Sequence, residues 1–214
     1  CPARGIRRKN IGELILLTQI APKGTRAAIT LAPENPQSLA IYEHWKNFCG
    51  ANQLPVEFAV VDRVAPTTSS DASFESWISH ATHFVTCSIS EGFGLAFLES
   101  HAYGKPLIGR KLPHISNDLA KHGVEHAKLY EKILIPTDWI SHESLKRHLA
   151  SSLTRLWQAW SREPNADAIE SAITSIVHDG FLDFGNLPEV LQESVIRKLL
   201  DPTHHAKPRV LIDG

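Results

Sequence analysis

The 214-residue chain contains no methionine and begins with Cys1. Residue 1 is therefore not expected to be a translation start, and the chain reads as a fragment or a processed piece. Cysteine is scarce: Cys1, Cys49 and Cys87 are odd in number, far apart and in no CxxC arrangement. That argues against a disulfide framework or a thiolate metal site, and it makes a reducing, cytoplasmic setting the default. No apolar run approaches ~18 residues, so no transmembrane helix is expected, and no signal peptide is visible. Charge of one sign is also lacking. The 22 basic and 23 acidic side chains give a formal charge of −1. This speaks against a broad nucleic-acid surface, while leaving room for a local basic patch. There is no internal repeat, and the only low-complexity patch is Thr67-Thr68-Ser69-Ser70.

What is present is an ordinary globular composition, 43% hydrophobic, in a chain long enough to build a core. Ile11, Leu14, Ile15 and Thr18 repeat at helical spacing behind a candidate cap, Asn10. A short strand is expected at 27–31, a helix at 37–52 and a strand at 56–61. After a polar loop at 62–71, a short helix carries Phe74, Trp77 and Ile78, capped by Ser73 or Asp71. Strands follow at 83–87, 106–109 and 132–135, separated by helices at 95–103 and 116–122. The last third reads as helical, with stripes through Leu145, Leu149, Leu156 and Trp160, then Ile169, Ile173, Ile176 and Val177, and a third helix at 188–200. Strands alternating with helices imply a parallel sheet covered on both faces. The expected fold class is α/β, a Rossmann-like doubly wound parallel sheet of about six strands with extra C-terminal helices. Cys1-Pro2 would be the end of the sixth strand. The expected domain spans 1–200, with its core in 1–160, helices in 161–200, and a tail or connection at 201–214.

In such sheets ligands bind beyond the carboxyl ends of the strands. Two loops lie at that edge. In the second, Gly92 and Gly94 follow the strand at 83–87, where they let a ligand approach the backbone. The amides of Gly94, Leu95 and Ala96 then open a helix, a position that favours an anion. Glu91 and Glu99 bracket this turn, and ionised carboxylates accept hydrogen bonds from a vicinal diol. The first loop carries Arg4 and Lys9, with four residues between them, two cations able to neutralise a diphosphate and charge on a leaving nucleotide diphosphate without requiring a metal. Each feature also has a plain reading: a tight turn for the glycines, a helix-start charge and a solvated face for the acids, a solvated cluster for the bases. Their joint occurrence at one sheet edge favours a nucleotide-sugar site.

The Arg-x4-Lys at Arg4 and Lys9 and the Glu-x7-Glu in Glu91-Gly92-Phe93-Gly94-Leu95-Ala96-Phe97-Leu98-Glu99 resemble the donor-site motifs of retaining GT-B glycosyltransferases, most nearly glycosyltransferase family 4. The order of elements over 1–160 is similar to the C-terminal, donor-binding lobe of that fold. The resemblance implies a hexosyltransferase-like enzyme domain that takes a nucleotide-diphosphate sugar and transfers the glycosyl group with retention. The sugar nucleotide is a substrate, and no cofactor or metal is implied. Arg4 and Lys9 would bind the diphosphate and Glu91 the donor hydroxyls, these three carrying catalysis. Gly92, Phe93, Gly94, Leu95 and Ala96 would contact sugar and phosphate, Glu99 the ribose, and Arg63 and Val64 would lie by the base. The acceptor would bind a second, N-terminal domain that this chain lacks, so the chain alone is expected to hold a donor without turnover. Where the family commonly has Gly-Gly and Pro-Glu, this chain has Gly109-Arg110 and Pro113-His114, a departure on the acceptor side. A nucleotide-sugar-binding module without turnover and a GT-B-fold epimerase are the alternatives; a phosphorylase would need a pyridoxal-phosphate lysine, and none recommends itself.

Twelve histidines raise a metal reading, but neither the pair His80 and His83 nor His204-His205 has metal-site spacing. Two carboxylates without a third ligand are thin support for Mg²⁺. Trp45, Trp77, Trp157 and Trp160 fit helix stripes and are expected in the core. Trp139 is left as a candidate to face the absent domain.

Overall fold

A computed structural model describes residues 1–61, 74–126, 128–163 and 165–212. Among them, eight α-helices and seven strands alternate along much of the chain, an α/β protein. In order they are α1 (Ile11–Ile20), β1 (Ala27–Ala28), α2 (Pro36–Ala51), β2 (Val56–Glu57), α3 (Phe74–His80), β3 (Phe84–Thr86), α4 (Leu95–Ala102) and β4 (Leu107–Arg110), then α5 (Pro113–Lys121), β5 (Lys128–Pro136), α6 (His142–Ala159), α7 (Ala166–Ile176), β6 (Phe181–Asp183), α8 (Glu189–Leu200) and β7 (Arg209–Ile212).

β1 and β2 form a two-stranded parallel sheet, and β3, β4, β5, β6 and β7 a mixed five-stranded one. The chain divides into two compact units, 1–131 with 211–214, and 132–210. β5 contributes to both. Its first residues pair parallel with β4, Ile108 opposite Lys128 and Arg110 opposite Tyr130, and its last pair antiparallel with β6, Leu134 opposite Asp183.

In the first unit, α1 is buried on nearly every side: Ile11, Leu14, Ile15 and Leu16 are core residues, as a helix apolar all round must be. α2 opens on Pro36, with the Asn35 side chain accepting from Ser38 N at 2.7 Å, and buries Tyr42, Trp45, Phe48 and Cys49. A second cluster joins Ile78, Phe84, Phe97, Leu107, Leu112, Ile115 and Leu129. Gly109 lets β4 lie close on β3, because a Cβ there would overlap the Thr86 carbonyl. Residues 1–5 run beside β1, the Cys1 carbonyl accepting from Thr30 N at 3.3 Å and Gly5 N donating to Leu31 O at 3.0 Å.

The second unit packs α6 with α7 and buries Ile133, Ile135, Leu182, Phe184, Leu191, Val195 and Ile196. Several boundaries differ from those expected. α5 starts at Pro113 rather than near 116, because proline fits the first helical position. β5 is longer than 132–135, and β6 and β7 were not anticipated; β7 lies within the stretch expected to be a tail. Trp45 is buried, but Trp77 and Trp160 are exposed, so the tryptophan stripe is not uniformly core. Trp139 is buried, its ring edge-on to His204 at 4.6 Å. The proposed caps Asp71 and Ser73 lie outside the described residues.

Candidate functional site

The first loop is a 3-10 turn, Arg7–Lys9, ended by Asn10 at φ 54°, a left-handed conformation that turns the chain into α1. The second loop leaves β3 through Cys87 and Ser88. The two are tied together where Ile89 N donates to Arg8 O at 3.0 Å. Across this tie the Lys9 ammonium donates to Glu91 Oε1. The Ser88 hydroxyl donates to the same oxygen at 2.6 Å, and Arg8 Nη1 reaches Oε2 at 3.3 Å. Thr86 Oγ1 in turn donates to Ser88 Oγ at 3.3 Å, and His114 Nε2 lies 3.3 Å from the Glu91 carbonyl.

The Glu91 side chain is 7% exposed and that of Lys9 15%, while Arg8 is about half exposed. Burial pushes the Glu91 carboxyl up, but the hydrogen bonds from Lys9 and Ser88 and the charges of Lys9 and Arg8 outweigh it. The carboxyl is held below its ordinary value. Glu99 shifts the other way: burial raises it, and the charge of Lys9 only partly compensates. Two carboxylates of one motif are thus pushed apart by their surroundings.

Gly94, at φ 68°, caps α4 in the left-handed region. A Cβ there would overlap Ile115 Cγ2, so both backbone and packing demand glycine. A Cβ added at Gly92 would meet nothing within 4 Å, so its place in the turn is open. Phe93 is 86% exposed and Leu95 is also exposed, whereas Ala96 is buried under the helix. The first amides of α4 have no partner within the helix, and they follow the Glu91 turn directly.

The structure therefore brings together Lys9, Glu91, the turn Gly92, Phe93 and Gly94, the helix start at Leu95 and Ala96, and Glu99, which feels the Lys9 charge. Arg4 is placed elsewhere: Nη2 pairs with Glu34 at 2.7 Å and Nη1 donates to Ala32 O at 3.3 Å. Arg63 and Val64 lie outside the described residues.

Sequence reasoning missed Arg8 and Ser88, and it missed a buried network behind the loops. Glu13, 0% exposed, accepts from Arg110 Nε at 2.9 Å and Nη2 at 2.6 Å, from the Tyr130 hydroxyl at 2.6 Å and from Asn10 Nδ2 at 3.0 Å. Arg110 Nη1 also donates to Glu131 O at 3.0 Å. The only sequence signal was an acid between Gly12 and Leu14, inside an otherwise apolar helical run. A buried acid in such a run implies a buried partner.

Among the described residues no three His, Cys, Asp or Glu come together as a group that could hold a metal ion, and no helix is long and apolar enough to cross a membrane. Compared with known proteins, the chain matches no family model, no curated protein and no solved structure.

Proposed function

We propose that the chain is the donor-binding lobe of a retaining glycosyltransferase with a GT-B, Rossmann-like architecture, and that it takes a nucleotide-diphosphate sugar. The observation that carries this reading is the meeting of Lys9, Arg8 and Glu91 beside the first amides of α4. Cations and amides suit a diphosphate; an ionised carboxylate suits sugar hydroxyls.

Glu91 is held by Lys9 and Arg8 in the structure. A diphosphate entering at the helix start draws both cations to itself and leaves the Glu91 oxygens to accept hydroxyl protons. Anion and polyol binding are then coupled, so a ligand carrying both groups is favoured over either alone. Arg4 joins by giving up Glu34, an exposed pair that costs only about 0–1 kcal/mol to break. Glu99, beside Lys9, is the partner for the ribose. In transfer, Lys9, Arg4 and Arg8 stabilise charge on the departing nucleotide diphosphate, while Glu91 orients the sugar. An acceptor is supplied by a second domain.

Calorimetric titration with uridine, guanosine and adenosine diphosphate sugars tests the reading. Binding of one of them, weakened at least ~10-fold by Lys9→Ala or Glu91→Gln, supports it. Absence of binding across the whole panel overturns it.

A further inference from the structure

The buried network around Glu13 stands directly behind the two loops of the candidate site. An enclosed ion pair adds little net stability over well-packed apolar residues of similar volume, because both charges have left water. What such a network supplies is geometry. Glu13 stands in α1, and its partners come from other parts of the first unit: Arg110 closes β4, Tyr130 lies in β5, and Asn10 joins the 3-10 turn to α1. Lys111 N adds a backbone bond to Tyr130 O at 2.7 Å.

Two ends of the network adjoin the site in sequence. Asn10 follows Lys9 and is 6% exposed, at φ 54°. Its side chain makes no cap bond to the backbone of α1; Nδ2 donates to Glu13 Oε2 at 3.0 Å. On the other loop, Tyr130 Oη lies 3.8 Å from Cys87 Sγ, and Cys87 precedes Ser88, which donates to Glu91. The network thus reaches Lys9 through Asn10, and Glu91 through Cys87 and Ser88. In front, the same two loops are joined by Ile89 N donating to Arg8 O.

We infer that Asn10 is a positioning residue of the donor site: tethered to Glu13, it holds the Lys9 ammonium where it meets Glu91 and, after exchange, the donor phosphates. The second half of that role rests on the donor reading; the tether to Glu91 does not. Asparagine meets two demands at this position. It tolerates the left-handed conformation that ends the 3-10 turn, and its amide N–H reaches a buried carboxylate. Glycine would meet the first demand and lose the second. A long side chain such as lysine gains affinity from being placed before the ligand arrives, since ordering it afterwards costs side-chain entropy.

The test sets Asn10→Gly, which keeps the left-handed turn and removes the tether, beside Asn165→Ala, which removes the cap of α7 in the second unit. The Glu91 carboxyl faces Lys9, Arg8 and Ser88, with His114 at its carbonyl. Its titration is followed by NMR of the carboxyl carbon, assigned with Glu91→Gln. Burial raises that carboxyl, and the Lys9 and Ser88 hydrogen bonds bring it below its ordinary value. Loosening Lys9 should therefore move the midpoint upward in Asn10→Gly, while Asn165→Ala leaves it in place. The sugar nucleotide bound by the parent should bind Asn10→Gly about 5-fold more weakly, the equivalent of one hydrogen bond. An unmoved Glu91 midpoint in folded Asn10→Gly overturns the inference, and so does unchanged affinity. Should Asn10→Gly fail to fold, Tyr130→Phe takes the same readouts, since it deletes one hydroxyl from the network. An unmoved midpoint there, or failure of both variants to fold, overturns the inference as well. A parent that binds no sugar nucleotide overturns the donor reading alone, because the Glu91 midpoint needs no ligand.

Discussion

Two acid–base pairs lie at neighbouring points of the first unit, and they differ chiefly in burial. Lys9–Glu91 and Arg110–Glu13 each join the start of α1 to a later loop or strand. Glu13 is wholly enclosed and accepts side-chain hydrogen bonds from Arg110, Tyr130 and Asn10. Glu91 is held from one side by Lys9 and Ser88, with half-exposed Arg8 at its other oxygen. The enclosed pair cannot exchange partners without leaving charges stranded in a low-dielectric interior. The Lys9–Glu91 pair is less completely enclosed and has half-exposed Arg8 beside it, so it can trade its cations for a ligand's phosphates. The same chemistry is structure in one place and a binding device in the other.

The largest expected effect breaks the enclosed pair. Glu13→Ala should cost about 3–5 kcal/mol in denaturant unfolding, because it leaves Arg110 buried without its carboxylate. The double change Glu13→Leu with Arg110→Met should recover most of that loss. If Glu13→Ala costs no more than Glu91→Ala, the contrast between the pairs fails. Glu91→Ala itself should cost about 1 kcal/mol, with its main effect appearing in the sugar-nucleotide titration. Next in size, Gly94→Ala should lose about 2–3 kcal/mol through its left-handed φ and its overlap with Ile115, and weaken ligand binding with it.

The pH dependence separates the two acids of the motif. Glu91 has a lowered folded value, so its stabilisation is fully present above the ordinary carboxylate value of 4.5 and is lost as pH falls through the folded value. Glu99 has a raised one, so its folded carboxyl takes up a proton first and stability rises, in relative terms, as pH falls through that value. Melting curves of Glu91→Gln and Glu99→Gln from pH 7 to pH 3 should diverge from the parent in opposite directions. Divergence in the same direction would show that Lys9 does not distinguish them. The smallest effect is expected for Gly92→Ala, within about 0.5 kcal/mol, since nothing lies within 4 Å of the added methyl.

Local pattern made much of the fold legible. The stripe Ile11, Leu14 and Ile15 and the glycine turn before α4 each follow from neighbours in sequence. The sequence placed the loops of Lys9 and Glu91 at one sheet edge; the two side chains do meet, although among the described residues no strand precedes the Lys9 loop. Arg4 was less legible. Which of several nearby cations turns inward depends on the 3-10 turn at Arg7–Lys9 and on Glu34, and spacing alone carries neither. The Glu13–Arg110 pair spans 97 positions and has no local signature beyond an acid among apolar residues. β6 and β7 are short strands with little alternation to mark them.

The native cysteines have a use in the laboratory. Cys49 and Cys87 are buried; burial pushes the Cys49 thiol up to about 12 and raises Cys87 as well, which disfavours the thiolate that reacts with a maleimide. With the half-buried Cys1 changed to serine, a single Phe93→Cys substitution would give one addressable sulfur at the most exposed point of the turn. A fluorophore attached there would report on what approaches Glu91, against a background of two buried thiols.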